Sequence, residues 1–240
     1  MFNKKITIII PVYNEAGIIK HVVRDFYEKV ARKMPHAQFV IVEDGSTDGT
    51  KEILKKLQKE LPFTLVSTTT RKGYSRAFYD ALKLVRTELL FFSDSDGQHE
   101  PSDVYKLLEK IGEYDIVGGY KHPRRDPAHR AILSRGYNFL IQLLFGFSMR
   151  DIDSGFKVIK KTVIDDILKD TLRFDYCVMS EFVLKAYLSG YKITEVPVFH
   201  YPRKAGSSTI FTPGRLPGII AGVVRGLLEL KIKQIRMRCL

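Results

Sequence analysis

Apolar positions in the first half of the chain fall into short continuous runs, separated by longer stretches in which apolar and polar residues recur at helical spacing. Ile6–Val12 is an almost unbroken β-branched run, which predicts a strand buried on both faces; Phe39–Val42, Thr64–Ser67, Leu89–Phe92 and Asp115–Val117 repeat the theme. Helical patterns at 15–34, 48–60, 74–86 and 101–112 lie between them, the second entered through Ser46 and Asp48 as candidate N-caps with Glu52 in its first turns. Such alternation predicts an α/β fold with a mostly parallel sheet flanked by helices. The second half is less regular, with a helix at 130–145, a loop and strand at 151–160, a helix at 178–189 and a strand at 192–199. No internal repeat and no Gly-, Ser- or Pro-rich linker divides the chain.

Ligands of parallel α/β sheets bind beyond the carboxyl ends of the strands. The residues found there are Pro11-Val12-Tyr13-Asn14-Glu15 after the first strand, Glu43-Asp44-Gly45-Ser46-Thr47-Asp48-Gly49 after the second and Ser93-Asp94-Ser95-Asp96-Gly97-Gln98-His99 after the fourth. All three clusters are expected on one edge of the sheet. Asp94 and Asp96 put two carboxylates within reach of one hard divalent cation, Mg²⁺ or Mn²⁺, and Gln98 offers a further oxygen. Asp, Ser and Gly also favour turns, so a plain turn is the competing reading. Asp44 and Ser46 either cap the following helix or accept hydrogen bonds from a base or ribose, and Asn14 and Glu15 carry the same two readings. Neither G-x-x-x-x-G-K-[ST] nor a strand-following G-x-G-x-x-G is present, which argues against a P-loop NTPase and a dinucleotide enzyme.

The composition of the 240 residues, 45% hydrophobic and 28% charged, is that of an ordinary globular protein and excludes a disordered chain. The anomaly is a formal net charge of +12, concentrated in two stretches. Residues 121–135 hold five basic side chains and one acid, and from Arg203 to the end there are eight against one. An anionic partner is implied: nucleic acid, a phosphorylated substrate or lipid headgroups. Nucleic acid is disfavoured, because no basic and aromatic platform accompanies the charge. Cys177 and Cys239 do not make a disulfide framework and point to a reducing compartment. The N-terminus shows no signal-peptide pattern. Leu216–Leu230, interrupted by Arg225 and Glu229, falls short of the about 20 apolar residues of a spanning helix.

The series Pro11-x-Tyr13-Asn14-Glu15, Glu43-Asp44-Gly45-Ser46-x-Asp48-Gly49-Thr50 and Asp94-x-Asp96-x-Gln98-His99-x-Pro101 resembles family 2 of the glycosyltransferases. Within that family it looks most like dolichol-phosphate mannose synthase and related polyprenyl-phosphate glycosyltransferases. Arg130-x-x-x-Ser134-x-Gly136-x-Asn138, Ser154-Gly155-Phe156-Lys157, Ser180-Glu181, Gly190 to Pro197 and Arg203-x-x-Gly206-x-Ser208 continue the likeness, which covers about residues 5–210. The resemblance implies an inverting enzyme with a Rossmann-like GT-A catalytic domain over 1–212. Such an enzyme moves a hexose, mannose or glucose, from a nucleotide sugar (GDP-mannose or UDP-glucose) to a polyprenyl (dolichyl) phosphate. It places Pro11, Tyr13, Asn14, Glu15, Asp44, Ser46, Asp94 and Ser95 at the nucleotide sugar, and Asp94, Asp96 and Gln98 on Mg²⁺ or Mn²⁺. Arg130 and Ser134 would meet the acceptor phosphate and Arg203 the donor phosphates, so that Asp96, Arg130, Ser134 and Arg203 carry the transfer. The alternative is transfer to a glycan or protein hydroxyl, with Asp151 or Asp153 as general base.

Two departures stand out. Gly118-Gly119-Tyr120 replaces the family's Ser-Arg-Tyr, leaving Lys121, Arg124 or Arg125 to supply the missing cation, and Thr209 replaces a lysine. The tail, 213–240, predicts an amphipathic helix over 216–238. Arg225, Glu229, Lys233 and Arg236 stand against Ile219, Ile220, Val223, Val224, Leu227, Leu228 and Ile235. It either lies in a membrane interface, on the cytoplasmic face, or packs on the domain. Gly218, Gly222 and Gly226 would admit a partner helix, from a membrane protein or a second copy.

Overall fold

The structure, a computed structural model, describes residues 5–125, 128–170, 174–202, 214 and 216–238. β1 (Ile6–Val12), β2 (Gln38–Glu43), β3 (Thr64–Ser67), β4 (Leu89–Phe92), β5 (Ile116–Lys121), β6 (Lys157–Lys160) and β7 (Ile193–Val198) form one sheet in the order β3-β2-β1-β4-β6-β5-β7. Every neighbouring pair is parallel except those of β6, which runs antiparallel to β4 and β5. β1 is buried at all seven positions, as an unbroken apolar run requires. Ile8 and Ile10 face α1 (Ile19–Lys29), α2 (Thr50–Leu57) and α4 (Val104–Lys110). Ile9, on the opposite face, joins α3 (Tyr74–Leu82), α5 (Ala128–Phe145), α6 (Lys161–Ile167), α7 (Val178–Leu188) and α8 (Leu216–Arg238).

Three elements differ from the sequence pattern. α1 starts at Ile19 rather than 15, because Asn14 is left-handed (φ 52°) and the turn after it is tied to the loop following β2. Residues 101–103 form a separate 3₁₀ turn, with Glu100 accepting from the Ser102 N–H, before α4 begins. α6 escaped the pattern because its two turns follow β6 without a break.

β1 ends in a way that opens the sheet. Its last bond toward β4 runs from the Ser93 N–H to the Ile9 carbonyl (3.1 Å), and the next residue facing that side is Pro11, which has no N–H to give. Toward β2 the pairing continues to Glu43, and the Asp44 N–H still reaches the Val12 carbonyl at 2.9 Å. The two strands therefore part at Pro11.

α8 has two apolar sides. Ile219, Val223, Leu227 and Leu230 are buried in the core, and Gly226 lies so close to the Phe174 ring that a Cβ would overlap it. Asp170 accepts from Lys233 of α8 (2.6 Å) and pairs with Lys185 of α7 (3.2 Å), which also meets Glu181 at 2.8 Å. Ile220, Leu228, Ile232 and Ile235, by contrast, are about half exposed, and on α5 Ile132, Phe139 and Leu143 are more so. Seven of the nine exposed large apolar side chains among the described residues thus belong to α5 and α8, a concentration unlike scattered surface apolars. No helix among the described residues is long and apolar enough to cross a membrane.

Candidate active site

The ends of β1, β2 and β4 meet at one edge of the sheet, as expected, and the entrance of the reversed strand β6 joins them, since Lys157 is in register with Phe92 and with Gly118. Asp44 accepts N–H groups from Lys72 and Gly73, both at 2.8 Å, so its two carboxylate oxygens are held by the loop between β3 and α3. Gly45 (φ +68°) lies flat against that loop; a Cβ there would stand 2.6 Å from the Arg71 nitrogen. The same loop carries the Arg71 guanidinium over the Tyr13 ring, 4.1 Å from its centroid. Tyr13, Asp44 and Arg71 form one wall, with Pro11 buried in the adjoining strand. Sequence reasoning passed over Arg71 and Lys72; the basic pair beside Gly73, following a strand, was the available signal.

Asn14, Glu15 and Ser46 are joined to one another's loops. Asn14 donates its N–H to Ser46 Oγ (3.0 Å) and accepts from the Thr47 N–H (2.8 Å), and the Glu15 N–H meets Thr50 Oγ1 at 2.9 Å. These contacts lace the two loops together without capping either helix, contrary to the capping expected of Ser46, since α1 is entered at Ile18 with no side-chain cap. The N-cap position of α2 is Gly49, while Asp48 accepts from the Thr50 N–H and hydroxyl and from the Ala16 N–H. Burial opposes the ionised form of Asp48, but these donors prevail and hold its carboxyl below the usual range. Glu43, fully buried, accepts from the Ser46 N–H and the Ser67 hydroxyl.

Asp94 lies just past β4. Its Oδ1 accepts from the Tyr74 hydroxyl at 3.0 Å, and Gly155 backs onto the same carboxyl so closely that a Cβ would overlap it. Burial, then the charge of Asp96, pushes the Asp94 carboxyl up to about 7, against the Tyr74 bond and the charge of Lys121. Burial and the neighbouring Asp94 keep the Tyr74 phenol well above its usual value, so it is a donor at neutral pH. Asp96 accepts from the Gln98 N–H at 3.1 Å, the turn the sequence allowed, with Ser95 buried between the two carboxylates. The Gln98 side-chain nitrogen donates to the Tyr201 carbonyl (3.2 Å) and its backbone carbonyl accepts from the Tyr201 N–H (2.7 Å), which pins it to the segment after β7.

The donor set fits a hard cation. Two carboxylates sit two residues apart at a strand end, and burial together with their mutual repulsion disfavours ionisation of Asp94, a cost that a divalent ion relieves. Among the described residues no three His, Cys, Asp or Glu side chains form a closed metal cage. Asp94 and Asp96 therefore suit Mg²⁺ or Mn²⁺ completing its shell with phosphate and water.

Beside them lies a cluster of charges around a buried lysine, with Asp151 buried, Glu195 half-buried and Asp153 exposed as a whole residue. Lys157 is completely buried and its Nζ donates to the Ser154 carbonyl; burial pulls its pKa down to about 8, against the charges of Asp151, Asp153, Asp94 and Glu195. Asp153 accepts from the Ser180 N–H (3.2 Å) and hydroxyl (2.9 Å), with burial raising its pKa. Glu195 accepts from the N–H groups of Arg150 (2.7 Å) and Asp151 (3.3 Å). The Asp151 Oδ2 is buried with no hydrogen-bond partner among the described residues.

Arg130 and Ser134 are half-buried, one turn apart on α5, and Asn138 ties that helix to the loop before β6 through the Arg150 carbonyl (2.6 Å). The Arg150 guanidinium lies 4.5 Å from the centroid of the Tyr120 ring, and Arg125 sits over Phe199. Lys121, one of the three candidate replacements for the missing arginine, has a charge that acts on Asp94. Arg203, Gly206, Ser208 and Thr209, with the boundary at 212–213, lie outside the described residues.

Among known proteins, the undecaprenyl-phosphate 4-deoxy-4-formamido-L-arabinose transferase of Salmonella choleraesuis (strain SC-B67) is 27% identical over 209 residues, 85% of this chain and 62% of the relative. The chain thus spans less than two thirds of the length of such relatives. Two solved structures share the fold at 17% identity. Glucosyl-3-phosphoglycerate synthase from Mycobacterium tuberculosis in complex with phosphoglyceric acid superposes with a TM-score of 0.72 over 95% of this chain and 80% of that one. The mannosyltransferase PcManGT from Pyrobaculum calidifontis, in complex with GDP-Man and Mn²⁺, gives 0.66 over 100% and 76%. These likenesses establish a GT-A architecture for the sheet and its loaded edge. The model of glycosyl transferase family 2 matches residues 7–168, a span that contains all three strand-end clusters and the loop entering β6, and the chain belongs to that family.

Proposed function

We propose that this chain is a metal-dependent, inverting transferase that moves a hexose, mannose or glucose, from GDP-mannose or UDP-glucose to a polyprenyl phosphate. The observation that carries this reading is the half-buried Asp94–Asp96 pair on the same sheet edge as the Tyr13–Asp44–Arg71 wall: two carboxylates for a cation beside a wall of aromatic, carboxylate and guanidinium groups. The Salmonella relative, named for an undecaprenyl-phosphate acceptor, supports the lipid phosphate, and the GDP-Man and Mn²⁺ of the Pyrobaculum structure support donor and metal.

In this reading Tyr13 and Arg71 flank the base and Asp94 and Asp96 hold Mg²⁺ or Mn²⁺ at the diphosphate. When bound, the metal neutralises charge developing on the leaving group. Arg130 and Ser134 hold the acceptor phosphate, arginine because its planar fork matches phosphate oxygens, and Arg203 serves the donor phosphates. A lipid phosphate is already anionic, so the attacking oxygen needs no base. The apolar stripes of α5 and α8 rest on an anionic bilayer at its cytoplasmic face, with Lys231 and Arg225 reaching headgroups from either side of the α8 stripe. α5 would then carry the acceptor-phosphate residues Arg130 and Ser134 on one face and the bilayer-facing Ile132, Phe139 and Leu143 on the opposite one.

Purified protein incubated with Mn²⁺, a polyprenyl phosphate and radiolabelled GDP-mannose or UDP-glucose should produce organic-extractable label. Label appearing only in a water-soluble glycan would instead favour a hydroxyl acceptor, a reading in which Asp151, whose buried Oδ2 has no hydrogen-bond partner among the described residues, is the base.

A further inference from the structure

Five consecutive residues, Arg71 to Ser75, touch different parts of the site. Arg71 stacks on Tyr13, the Lys72 and Gly73 N–H groups hold Asp44, the Tyr74 hydroxyl holds Asp94, and Ser75 Oγ donates to the Asp175 carbonyl at 2.9 Å. Tyr74 is the member that crosses from the nucleoside wall to the carboxylate pair. The residue is 38% exposed as a whole, yet its hydroxyl is engaged with Asp94 Oδ1 at 3.0 Å.

Asp94 is confined from the other side as well. Gly155 occupies the space that a side-chain carbon would contest with the carboxyl, and the neighbouring Ser154 carbonyl is fixed by the buried Lys157 Nζ. The carboxyl is thus bracketed by a donor at Oδ1 and by backbone behind it. A donor of this kind, bonded to a metal-ligating group without touching the metal, orients the ligand and raises the occupancy of its productive rotamer.

We propose that Tyr74 is a positioning residue for metal capture: its hydroxyl fixes the Asp94 carboxyl in the orientation that receives the cation, and its position one residue beyond Gly73 ties that orientation to the loop held by Asp44. The proposal rests on the reading of Asp94 and Asp96 as the cation site. Removal of this outer hydrogen bond weakens metal binding by about 10- to 100-fold. Nucleotide contacts that need no metal stay as they are.

Tyr74→Phe tests this, since it deletes one oxygen and keeps the ring. Mn²⁺ binding to the full chain is read from the free-ion electron paramagnetic resonance signal, with saturating UDP in one series and saturating GDP in another. Metal-free binding of each nucleotide is measured by calorimetry in EDTA. The expected result is Mn²⁺ affinity about 10- to 100-fold weaker than wild type in whichever series wild type retains the ion, with metal-free nucleotide affinity within twofold. Unchanged Mn²⁺ affinity overturns the proposal, as does an equal loss of both affinities, which would mark a general disturbance of the loop. Failure of the wild-type chain to retain Mn²⁺ with either nucleotide overturns the cation-site reading itself. Gly155→Ala perturbs the same carboxyl from behind and should reproduce the selective loss of Mn²⁺; sparing Mn²⁺ there would contradict the bracketing of Asp94.

Discussion

Replacing Asp94 with Asn should stabilise the metal-free protein while destroying its activity, and the gain should depend on pH in a defined direction. Asn keeps an oxygen for the Tyr74 hydroxyl and nearly the same shape, but carries no charge. In the folded chain the Asp94 carboxyl titrates at about 7, against 3.8 for an unperturbed one. A carboxyl whose folded pKa is raised binds more protons folded than unfolded between those values, so it costs stability progressively as pH rises through that window. At pH 8 the full cost is roughly 4 kcal/mol, from about 1.4 kcal/mol per unit. At pH 5 the folded carboxyl is protonated and the cost falls to about 1.5 kcal/mol. Asp94→Asn should therefore be more stable than wild type at pH 8 in EDTA, and that advantage should shrink by about 2.5 kcal/mol at pH 5. Urea denaturation of both proteins at the two pH values measures this. An advantage that is absent at pH 8, or equal at both pH values, would refute the raised pKa of the carboxyl at position 94.

Other outcomes follow from the same packing. Asp44→Ala leaves the Lys72 and Gly73 N–H groups without their acceptor and should lower stability by about 1–3 kcal/mol, with weaker binding of nucleoside diphosphate in calorimetry. Lys157→Met removes the buried ammonium that faces Asp151, Asp153, Asp94 and Glu195, so a loss of about 3–5 kcal/mol is expected in denaturant melts at pH 7; a neutral effect would show that the cluster is already protonated. Phe139→Asp combined with Leu228→Asp should abolish flotation with phosphatidylglycerol-containing vesicles without lowering the melting temperature, because both side chains are exposed. If wild type instead fails to float and forms a dimer that the double variant lacks, a second copy occupies that face.

The elements that position the site were legible where a single physical signal dominated. The β-branched run of β1 and the polar clusters after β1, β2 and β4 needed no tertiary information, because burial on both faces excludes polar residues until the strand ends. What escaped depends on partners distant in sequence. Asp44 is held by backbone N–H groups of Lys72 and Gly73, and backbone donors leave no trace in residue identity. Lys157 stands out only as the end of the Ser154–Lys157 segment, and only the folded chain surrounds it with carboxylates. β6 falls within the loop and strand expected at 151–160, but its reversed direction depends on its neighbours, and α6, seven residues long and following it without a break, leaves a helical period no room to emerge. In α8 the adjacent pairs Ile219–Ile220, Val223–Val224 and Leu227–Leu228 read as one broad apolar side, yet the first of each pair is buried and Ile220 and Leu228 are exposed.

That last feature poses a choice for the helix. A cylinder with apolar residues on two sides could seat against the core in either of two rotations, with similar burial of aliphatic surface. Asp170 breaks the tie: its carboxylate accepts Lys233 only when the Leu227 side is turned inward, and Gly226 presents its bare backbone to Phe174 in the same rotation. One ion pair and one missing methyl thus act as an indexing pin, selecting which oily side the enzyme keeps for itself and which it offers to its surroundings.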